Sequence, residues 1–128
     1  MKKTEEQLYA EVSRITSVLN PYDGTYFRLC GEALFNGEMS LEQFADKMRV
    51  ADAVFADVIK QLRGLRFPKM KQRSALSKLL SGLQAYRNGL AAAASTNWEL
   101  ADVHFDRALA SSREYTGFAF RDRMKGAI

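Results

Sequence analysis

The fold is decided by residues 76–93, LSKLLSGLQAYRNGLAAA, in which apolar residues recur at alternating steps of three and four. The recurring residues are Leu76, Leu79, Leu83, Tyr86, Leu90 and Ala93. This spacing forms one apolar stripe along an α-helix, and strict alternation of three and four is typical of helices in a left-handed bundle. The segment therefore predicts a long helix that packs against other helices of the chain.

Three other segments repeat this spacing. The segment before it contains Leu41, Phe44, Met48, Ala51, Phe55, Val58 and Leu62. The segment after it contains Trp98, Ala101, Phe105, Ala108, Ser112, Tyr115 and Ala119. The earliest set is Leu8, Val12, Ile15, Leu19, Tyr22, Tyr26, Leu29 and Ala33. Four matching stripes predict four helices that bury a shared core.

The earliest stripe crosses Pro21, and an internal proline costs a helix about 3 kcal/mol. The pair Asn20-Pro21 is also a signal for the start of a helix, because asparagine caps and proline suits the first helical position. We therefore expect two helical segments, about residues 5–19 and 21–36, joined by a sharp kink. A separate short helix folded across the end of the bundle is the alternative.

Capping signals predict where the helices begin and end. Capping boxes, in which Ser or Thr is followed three residues later by Glu or Gln, begin at Thr4, Ser40 and Thr96. Pro68 suits the first position of a further helix. Glycines suited to a left-handed helix end are Gly37, Gly64 and Gly126. The predicted helices cover about residues 4–36, 41–63, 68–95 and 97–125.

The composition predicts one domain over residues 1–128. Hydrophobic residues make up 47% of the 128 residues and charged residues 27%, which is ordinary for a globular domain. The two prolines and the scattered glycines form no linker. The predicted fold class is all-α, a four-helix up-and-down antiparallel bundle whose first helix is kinked or broken at Pro21.

The sequence predicts no transmembrane segment and, as a default, a cytoplasmic location. Its longest apolar run, residues 90–94, is far shorter than the roughly 20 residues of a membrane span. Lys2 and Lys3 are followed by polar residues rather than by the apolar run of a signal peptide. A lone cysteine, Cys30, forms no internal disulfide. A trimmed exported domain has the same features and remains the alternative.

No residue pattern indicates catalysis, a cofactor or a metal. The lone histidine, His104, has Ala101 three residues before it, so the Glu-x-x-His motif of di-iron bundles is absent. One histidine and one cysteine do not complete a usual transition-metal site. The sequence also has no P-loop, nucleophile elbow or zinc-protease motif. We interpret His104 as a residue at the bundle flank, Cys30 as a buried inert thiol, and the chain as a non-enzyme.

Two features concern packing. Gly82 and Gly89 are seven residues apart and therefore share a helix face, which favours close approach of a neighbouring helix over space for a flat ligand. Phe118, Phe120 and Met124 widen the apolar face of the last helix. Burial within the monomer is the preferred interpretation of these three, and a homodimer interface is the alternative.

The charge distribution is uneven, because no acidic residue lies between Asp57 and Glu99. In an up-and-down bundle the loop at residues 64–68 lies at the same end as both termini. We call this end the basic pole: Lys2, Lys3, Lys60, Arg63, Arg66, Lys69, Lys71, Arg73, Arg121, Arg123 and Lys125. The opposite end is the acidic pole: Glu32, Glu38, Glu42, Asp46, Glu99, Asp102 and Asp106.

The segment 60–73 of the basic pole is the predicted binding site. Its candidate residues are Arg63, Arg66, Phe67, Lys69, Lys71 and Arg73, with Phe67 as an apolar anchor. We predict a non-catalytic interaction module that docks there on a protein with an acidic surface or on another copy of the chain. Binding of nucleic acid or another polyanion is the alternative, although a net charge of +4 and the absence of a binding motif count against it. The other alternative is that Phe67 and Met70 plug the bundle end while the charges only contact water.

Overall fold

The computed structural model describes residues 2–127, and the side chains of residues 2–125. Within this part of the chain 85% of the residues are helical and none forms a strand. The helices are α1 (Glu5–Thr16), a 3-10 helix (Ser17–Tyr22), α2 (Gly24–Phe35), α3 (Leu41–Arg63), α4 (Met70–Ala94) and α5 (Trp98–Ala127). We call α1, the 3-10 helix and α2 together the first arm. The first arm, α3, α4 and α5 are the four members of an up-and-down bundle, which confirms the predicted fold class.

The closest helix pair is the α4–α5 hairpin, followed by α3 against α4. A Cβ atom on Gly89 would lie 2.5 Å from Cε1 of Phe105, and one on Gly82 would lie 2.8 Å from Cβ of Ser111. Neither distance leaves room for a side chain, so α4 and α5 approach each other across the two glycines. The predicted close packing at Gly82 and Gly89 is therefore confirmed.

The predicted apolar stripes form the core, with Met48, Val58, Leu62 and Leu90 among its most buried side chains. Three residues predicted for a stripe lie instead at the surface: Leu29, Leu41 and Ser112. In α2 the buried residue is Cys30, because the 3-10 helix turns every three residues and shifts the phase of α2 relative to α1. Leu41 is the first residue of α3 and lies at the bundle end. Ser112 is exposed on α5 one turn before Thr116, which is also exposed and lines an open groove between α1 and α5.

The break in the first arm contains Pro21, as predicted, although the start predicted at Asn20-Pro21 is wrong. Pro21 lies inside the 3-10 helix, and α1 ends earlier than expected, at Thr16. The cap of α2 is Asp23, whose Oδ1 accepts a hydrogen bond from the backbone N–H of Tyr26 at 3.1 Å. A free backbone donor in the first turn of α2 is thereby satisfied, which fixes the start of the helix after the proline.

The capping boxes at Thr4 and Ser40 are confirmed. The box at Thr96 is wrong, because the N–H of Thr96 donates to the carbonyl of Ala93 and the residue has a left-handed φ of 61°. The adjacent Asn97 caps α5 instead, with its Oδ1 accepting from the N–H of Leu100 at 3.2 Å. Thr96 therefore belongs to the turn that ends α4, and α5 begins after it.

The predicted start at Pro68 is wrong, whereas the helix ends predicted at Gly37 and Gly64 are correct, with the left-handed conformation at Gly37 only. Helix α4 begins at Met70 rather than at the proline. Gly37 has the expected left-handed φ of 76°, which confirms it as the residue after the end of α2. Gly64 caps α3 with a right-handed φ of −77°, so its predicted conformation is wrong. Helix α5 continues through Gly126 to Ala127, past the predicted end.

Candidate binding site at the basic pole

Contacts between distant segments bring the start of α1, the α3–α4 loop and the end of α5 to one end of the bundle. The Nζ of Lys69 lies 3.3 Å from Oε1 of Glu5. The rings of Tyr9 and Phe67 pack with their centroids 5.1 Å apart. A guanidinium of α5, that of Arg123, pairs with Glu6 at 2.5 Å. Residues of α1, of the α3–α4 loop and of α5 therefore contact one another at this end.

A polar network built around Asp122 joins these segments. The hydroxyl of Tyr9 donates to Oδ2 of Asp122 at 2.6 Å, and Nε2 of Gln72 donates to the same oxygen at 2.8 Å. The backbone N–H of Lys69 donates to Oε1 of Gln72 at 3.2 Å. Gln72 is only 2% exposed, and each of its two amide atoms has a partner. A satisfied buried network of this kind fixes one arrangement of α1, α4, α5 and the loop.

The network shifts the pKa values of its two acids in opposite directions. Hydrogen bonds from Tyr9 and from Gln72 hold the pKa of Asp122 below its usual value, and the positive charges of Lys69 and Lys125 lower it further. Burial and the hydrogen bond to Asp122 raise the pKa of Tyr9 well above its usual value. At neutral pH a carboxylate therefore accepts both hydrogen bonds and Tyr9 keeps its proton.

Phe67, predicted as an apolar anchor for a partner, is buried at the bundle end, as the alternative that it plugs this end predicted. Its side chain is 3% exposed, because the ring packs against Tyr9 of α1, a residue 58 positions earlier in the chain. Met70, by contrast, is 76% exposed at the start of α4. The apolar side chain that a partner can reach in this segment is that of Met70.

The five predicted cations have different surroundings. Lys69 is paired with Glu5. Nη1 of Arg73 donates to the carbonyl oxygens of Phe67 and Pro68, at 3.1 and 2.8 Å, and so braces the loop. Arg66 likewise contacts backbone carbonyls, with its Nη1 donating to that of Arg63 at 2.8 Å and to that of Leu65 at 3.3 Å.

We call Arg63, Arg66 and Lys71 the exposed cations; they carry the free charge of this segment together with Lys60 and Arg73, which are also exposed and form no ion pair among residues 2–125. None of the three forms an ion pair with a carboxylate among residues 2–125. All three side chains are exposed. The charge of this surface is therefore not cancelled locally, apart from that of Lys69.

A cleft beside the loop combines cations with an apolar floor, and we call it the basic cleft. It is lined by Lys2, Lys3, Leu8, Gly64, Leu65, Arg66, Phe67 and Pro68. None of these lining residues is acidic. Glu11 approaches the rim, with its carboxylate 3.8 Å from Nζ of Lys3. An apolar group flanked by carboxylates matches a floor and a rim of this composition.

The acidic pole lies at the opposite ends of the same helices. Glu32 is paired with Arg28, and Asp46 is paired with Arg49. The residues of this pole without an ion pair among residues 2–125 are Glu38, Glu42, Glu99, Asp102 and Asp106. Phe35 is 73% exposed beside them, with its ring centroid 5.7 Å from that of Trp98. This end therefore presents a large apolar side chain among carboxylates.

His104 and Cys30 have unremarkable surroundings for their types. Cys30 is 7% exposed within the core. His104 is half-buried in a groove between α4 and α5 that Ser77 and Arg107 also line. Among the residues that the structure describes, no three His, Cys, Asp or Glu side chains form a group able to hold a metal ion. None of the described helices is long and apolar enough to cross a membrane.

No protein-family model matches this chain, and neither a curated protein nor a solved structure matches it. The function is therefore argued from the charges, contacts and exposed side chains of the two poles. Sequence reasoning missed Tyr9, Gln72 and Asp122, the residues that hold the basic pole together. The chain separates Tyr9 from Asp122 by 113 residues and Gln72 from Asp122 by 50, and no local pattern marks these pairs.

Proposed function

We propose that this chain is a non-catalytic interaction module that docks an acidic protein surface at its basic pole. The supporting observation is the set of exposed cations, Arg63, Arg66 and Lys71, which lack a carboxylate partner among residues 2–125. Unpaired cations on one end of a molecule attract an acidic partner over a distance of about 8–10 Å at physiological salt. Met70 adds an exposed apolar side chain at the start of α4, next to Lys71 in the chain.

The cations stand on a fixed support. The network of Tyr9, Asp122 and Gln72 holds α1, α4 and α5 together, and Arg73 braces the carbonyls of the loop. A binding surface that is ordered before its partner arrives loses less conformational freedom on binding. The polar network is therefore the structural part of the proposed site, and the exposed cations are its contacting part.

An acidic protein fits this surface better than nucleic acid does. Proteins that bind single strands stack bases on exposed aromatic rings. The aromatic residue of the loop, Phe67, is buried against Tyr9 and is not accessible to a base. A carboxylate-rich protein surface needs only cations and a small apolar contact, which Arg63, Arg66, Lys71 and Met70 supply.

The test compares two variants with the same net charge. The basic-pole variant is Arg63→Glu/Arg66→Glu/Lys71→Glu. The control variant is Arg28→Glu/Lys47→Glu/Arg113→Glu, whose three exposed cations lie outside the basic pole, with Arg28 in an exposed pair with Glu32 of its own helix. Each triple reversal lowers the net charge of +4 by six, so an effect of net charge alone is equal in both. Far-UV circular dichroism first establishes that both variants keep the helical content of the wild type.

The probe is a fluorescein-labelled peptide of Glu-Glu-Leu repeats, followed by fluorescence anisotropy across a salt series. We expect the wild type and the control variant to bind at low salt and to release the peptide as salt rises. Loss of three exposed charge contacts weakens binding by about tenfold or more in the basic-pole variant. Equal weakening in both variants, or no binding by the wild type at low salt, contradicts the proposal. Tighter binding of an oligonucleotide than of the peptide at equal salt assigns the pole to nucleic acid instead.

A further inference from the structure

The two ends of the molecule have complementary surfaces. The basic cleft has an apolar floor that includes Leu65 and a rim that includes Arg66. The acidic pole has a projecting aromatic side chain, Phe35, among unpaired carboxylates. A concave apolar surface rimmed by cations thus stands at one end, and a projecting apolar side chain flanked by anions stands at the other.

We propose that the acidic pole of a second copy of this chain docks at the basic pole, so that copies associate head to tail. This inference rests on the proposed function, because the contact uses the same exposed cations, and it names the acidic partner as the chain itself. Phe35 of one copy enters the basic cleft of the next. Glu38 and Asp102 of the same pole then face exposed cations of the basic pole, among them Arg66 at the cleft and Lys71 at the start of α4.

Charge complementarity between the two poles supports a second copy of the chain as the partner. Glu38 and Asp102 form no ion pair among residues 2–125, and the same is true of Arg66 and Lys71. Docking therefore adds new ion pairs without breaking existing ones. Electrostatic matching of this kind speeds association and selects the correct orientation of the partner.

The exposed apolar side chains of the acidic pole also support a second copy of the chain as the partner. The ring of Phe35 is 73% exposed, and its described aromatic neighbour is Trp98. Two further apolar side chains at this end, Leu41 and Leu100, are 51% and 44% exposed. Removing a group of exposed apolar side chains from water favours association, and the floor of the basic cleft supplies apolar atoms to receive them.

The position of the poles sets the kind of assembly. They lie at opposite ends of α3, whose 23 residues span about 35 Å, so one molecule cannot bring its own poles together. A contact between two different surfaces leaves one free pole at each end of a pair. Head-to-tail association therefore continues beyond two copies as the protein concentration rises.

The experiment uses two variants that each keep one pole intact. The first, the neutral basic-pole variant, is Arg63→Gln/Arg66→Gln/Lys71→Gln. The second, the acidic-pole variant, is Phe35→Ser/Glu38→Gln/Asp102→Gln, and neutral replacements are used because charge-reversed poles would attract each other. Sedimentation equilibrium at low salt gives the mass of each protein alone and of their equimolar mixture. We expect the wild type to exceed the monomer mass of 14.4 kDa increasingly with concentration and to return to it at high salt. Each variant alone stays monomeric, whereas the mixture contains pairs of twice that mass.

The mixture distinguishes head-to-tail docking from other contacts, because only that geometry joins the intact acidic pole of one variant to the intact basic pole of the other. A dimer that persists in either variant alone overturns the proposal, as does a wild type that stays monomeric at low salt. If the monomeric wild type still binds the Glu-Glu-Leu peptide, the proposed function stands and only the second-copy inference fails. Far-UV circular dichroism first establishes that both neutral variants keep the helical content of the wild type.

Discussion

In the α4–α5 hairpin two helices meet across glycines, whereas the first arm joins the bundle through buried side chains of α1, such as Leu8, Val12 and Ile15, and through aromatic rings and single hydrogen bonds. Gly82 and Gly89 bring α4 against α5 so closely that a Cβ atom does not fit. The first arm reaches α5 through the ring of Phe27, whose centroid lies 5.3 Å from that of Phe105. It reaches α4 through the hydroxyl of Tyr86, which donates to the carbonyl of Tyr22 at 3.0 Å.

This difference indicates that the two regions differ in local stability. A groove separates α1 from α5 along residues that include Val12, Thr16, Thr116 and Phe120. Phe120 is 65% exposed there. Segments that approach their neighbours less closely open locally at a lower free energy than the most tightly packed part of a domain. We therefore expect the hairpin to be the stable centre of the fold and the first arm to open before it.

The largest expected effect on the free energy of unfolding comes from replacing one leucine by alanine in each region. Leu90 of α4 is 1% exposed, so Leu90→Ala lowers the free energy of unfolding by about 2–5 kcal/mol. Leu34 of α2 is only partly buried against the core, so Leu34→Ala lowers it by about 1 kcal/mol. Equilibrium urea unfolding followed by circular dichroism measures both. Equal losses at the two positions would remove the distinction between hairpin and first arm.

A glycine substitution is expected to have opposite signs in the two regions. In Gly82→Ala the new Cβ lies 2.8 Å from Cβ of Ser111 and 3.2 Å from the backbone oxygen of Ala108. Overpacking of about 1–3 kcal/mol then exceeds the gain of up to about 1 kcal/mol in helix propensity. Gly31 of α2 has no atom within 4 Å of an added Cβ, so Gly31→Ala gains the propensity alone and stabilises the protein. Stabilisation by Gly82→Ala in the same urea assay contradicts the close packing of the hairpin.

The sequence predicts the hairpin better than it predicts the first arm. Stripes such as Leu79, Leu83 and Leu90 are uninterrupted, so their spacing alone identifies the buried face of α4. In the first arm the 3-10 helix changes the number of residues per turn, and the extrapolated stripe predicts burial of Leu29 where the structure buries Cys30. Periodicity is reliable only while the helix geometry that produces it stays constant.

At the basic pole, too, the sequence predicts only part of the structure, because the side-chain contacts there join different helices. The positions of the cations follow from the sequence and the up-and-down topology. The burial of Phe67 does not, because it depends on the ring of Tyr9, which a different helix supplies. The role of Asp122 also escapes local reasoning, since both donors to its carboxylate come from other helices. Side-chain partners across a bundle are determined by helix rotation and offset, which the apolar stripes do not specify.

The third effect tests how strongly the polar network attaches the first arm. Asp122→Asn replaces a carboxylate that accepts hydrogen bonds from Tyr9 and Gln72, and we expect a loss of about 1–3 kcal/mol at pH 7. The native pKa of Asp122 is lowered, so its stabilising contribution is complete above the unfolded value near pH 3.9. That contribution is lost as the pH falls through the lower native pKa. The difference in urea stability between wild type and Asp122→Asn should therefore shrink from pH 6 to about pH 2.5.

Glu11→Gln is the matched control for this pH dependence. The pKa of Glu11 is also lowered, chiefly by its hydrogen bond to Arg14, but both residues belong to α1 and the pair joins no other helix. Because the pair is screened by solvent, we expect this variant to depart from the wild-type pH profile in the same direction as Asp122→Asn but by much less. A profile for Glu11→Gln that matches the one for Asp122→Asn would mean that surface carboxylates in general, rather than the network, produce the acid sensitivity.

The smallest expected effect compares the contribution of the polar network to stability with that of the ion pair beside it. Glu6 of α1 and Arg123 of α5 lie across the same junction, but their side chains are 68% and 45% exposed. Exposed ion pairs contribute about 0–1 kcal/mol, because water and salt screen them and both side chains lose freedom on pairing. We expect Glu6→Gln to lower the free energy of unfolding by less than about 0.5 kcal/mol, and less still in high salt. A loss as large as that of Asp122→Asn would mean that charge pairing, rather than the hydrogen bonds of Tyr9 and Gln72, attaches the first arm to the hairpin.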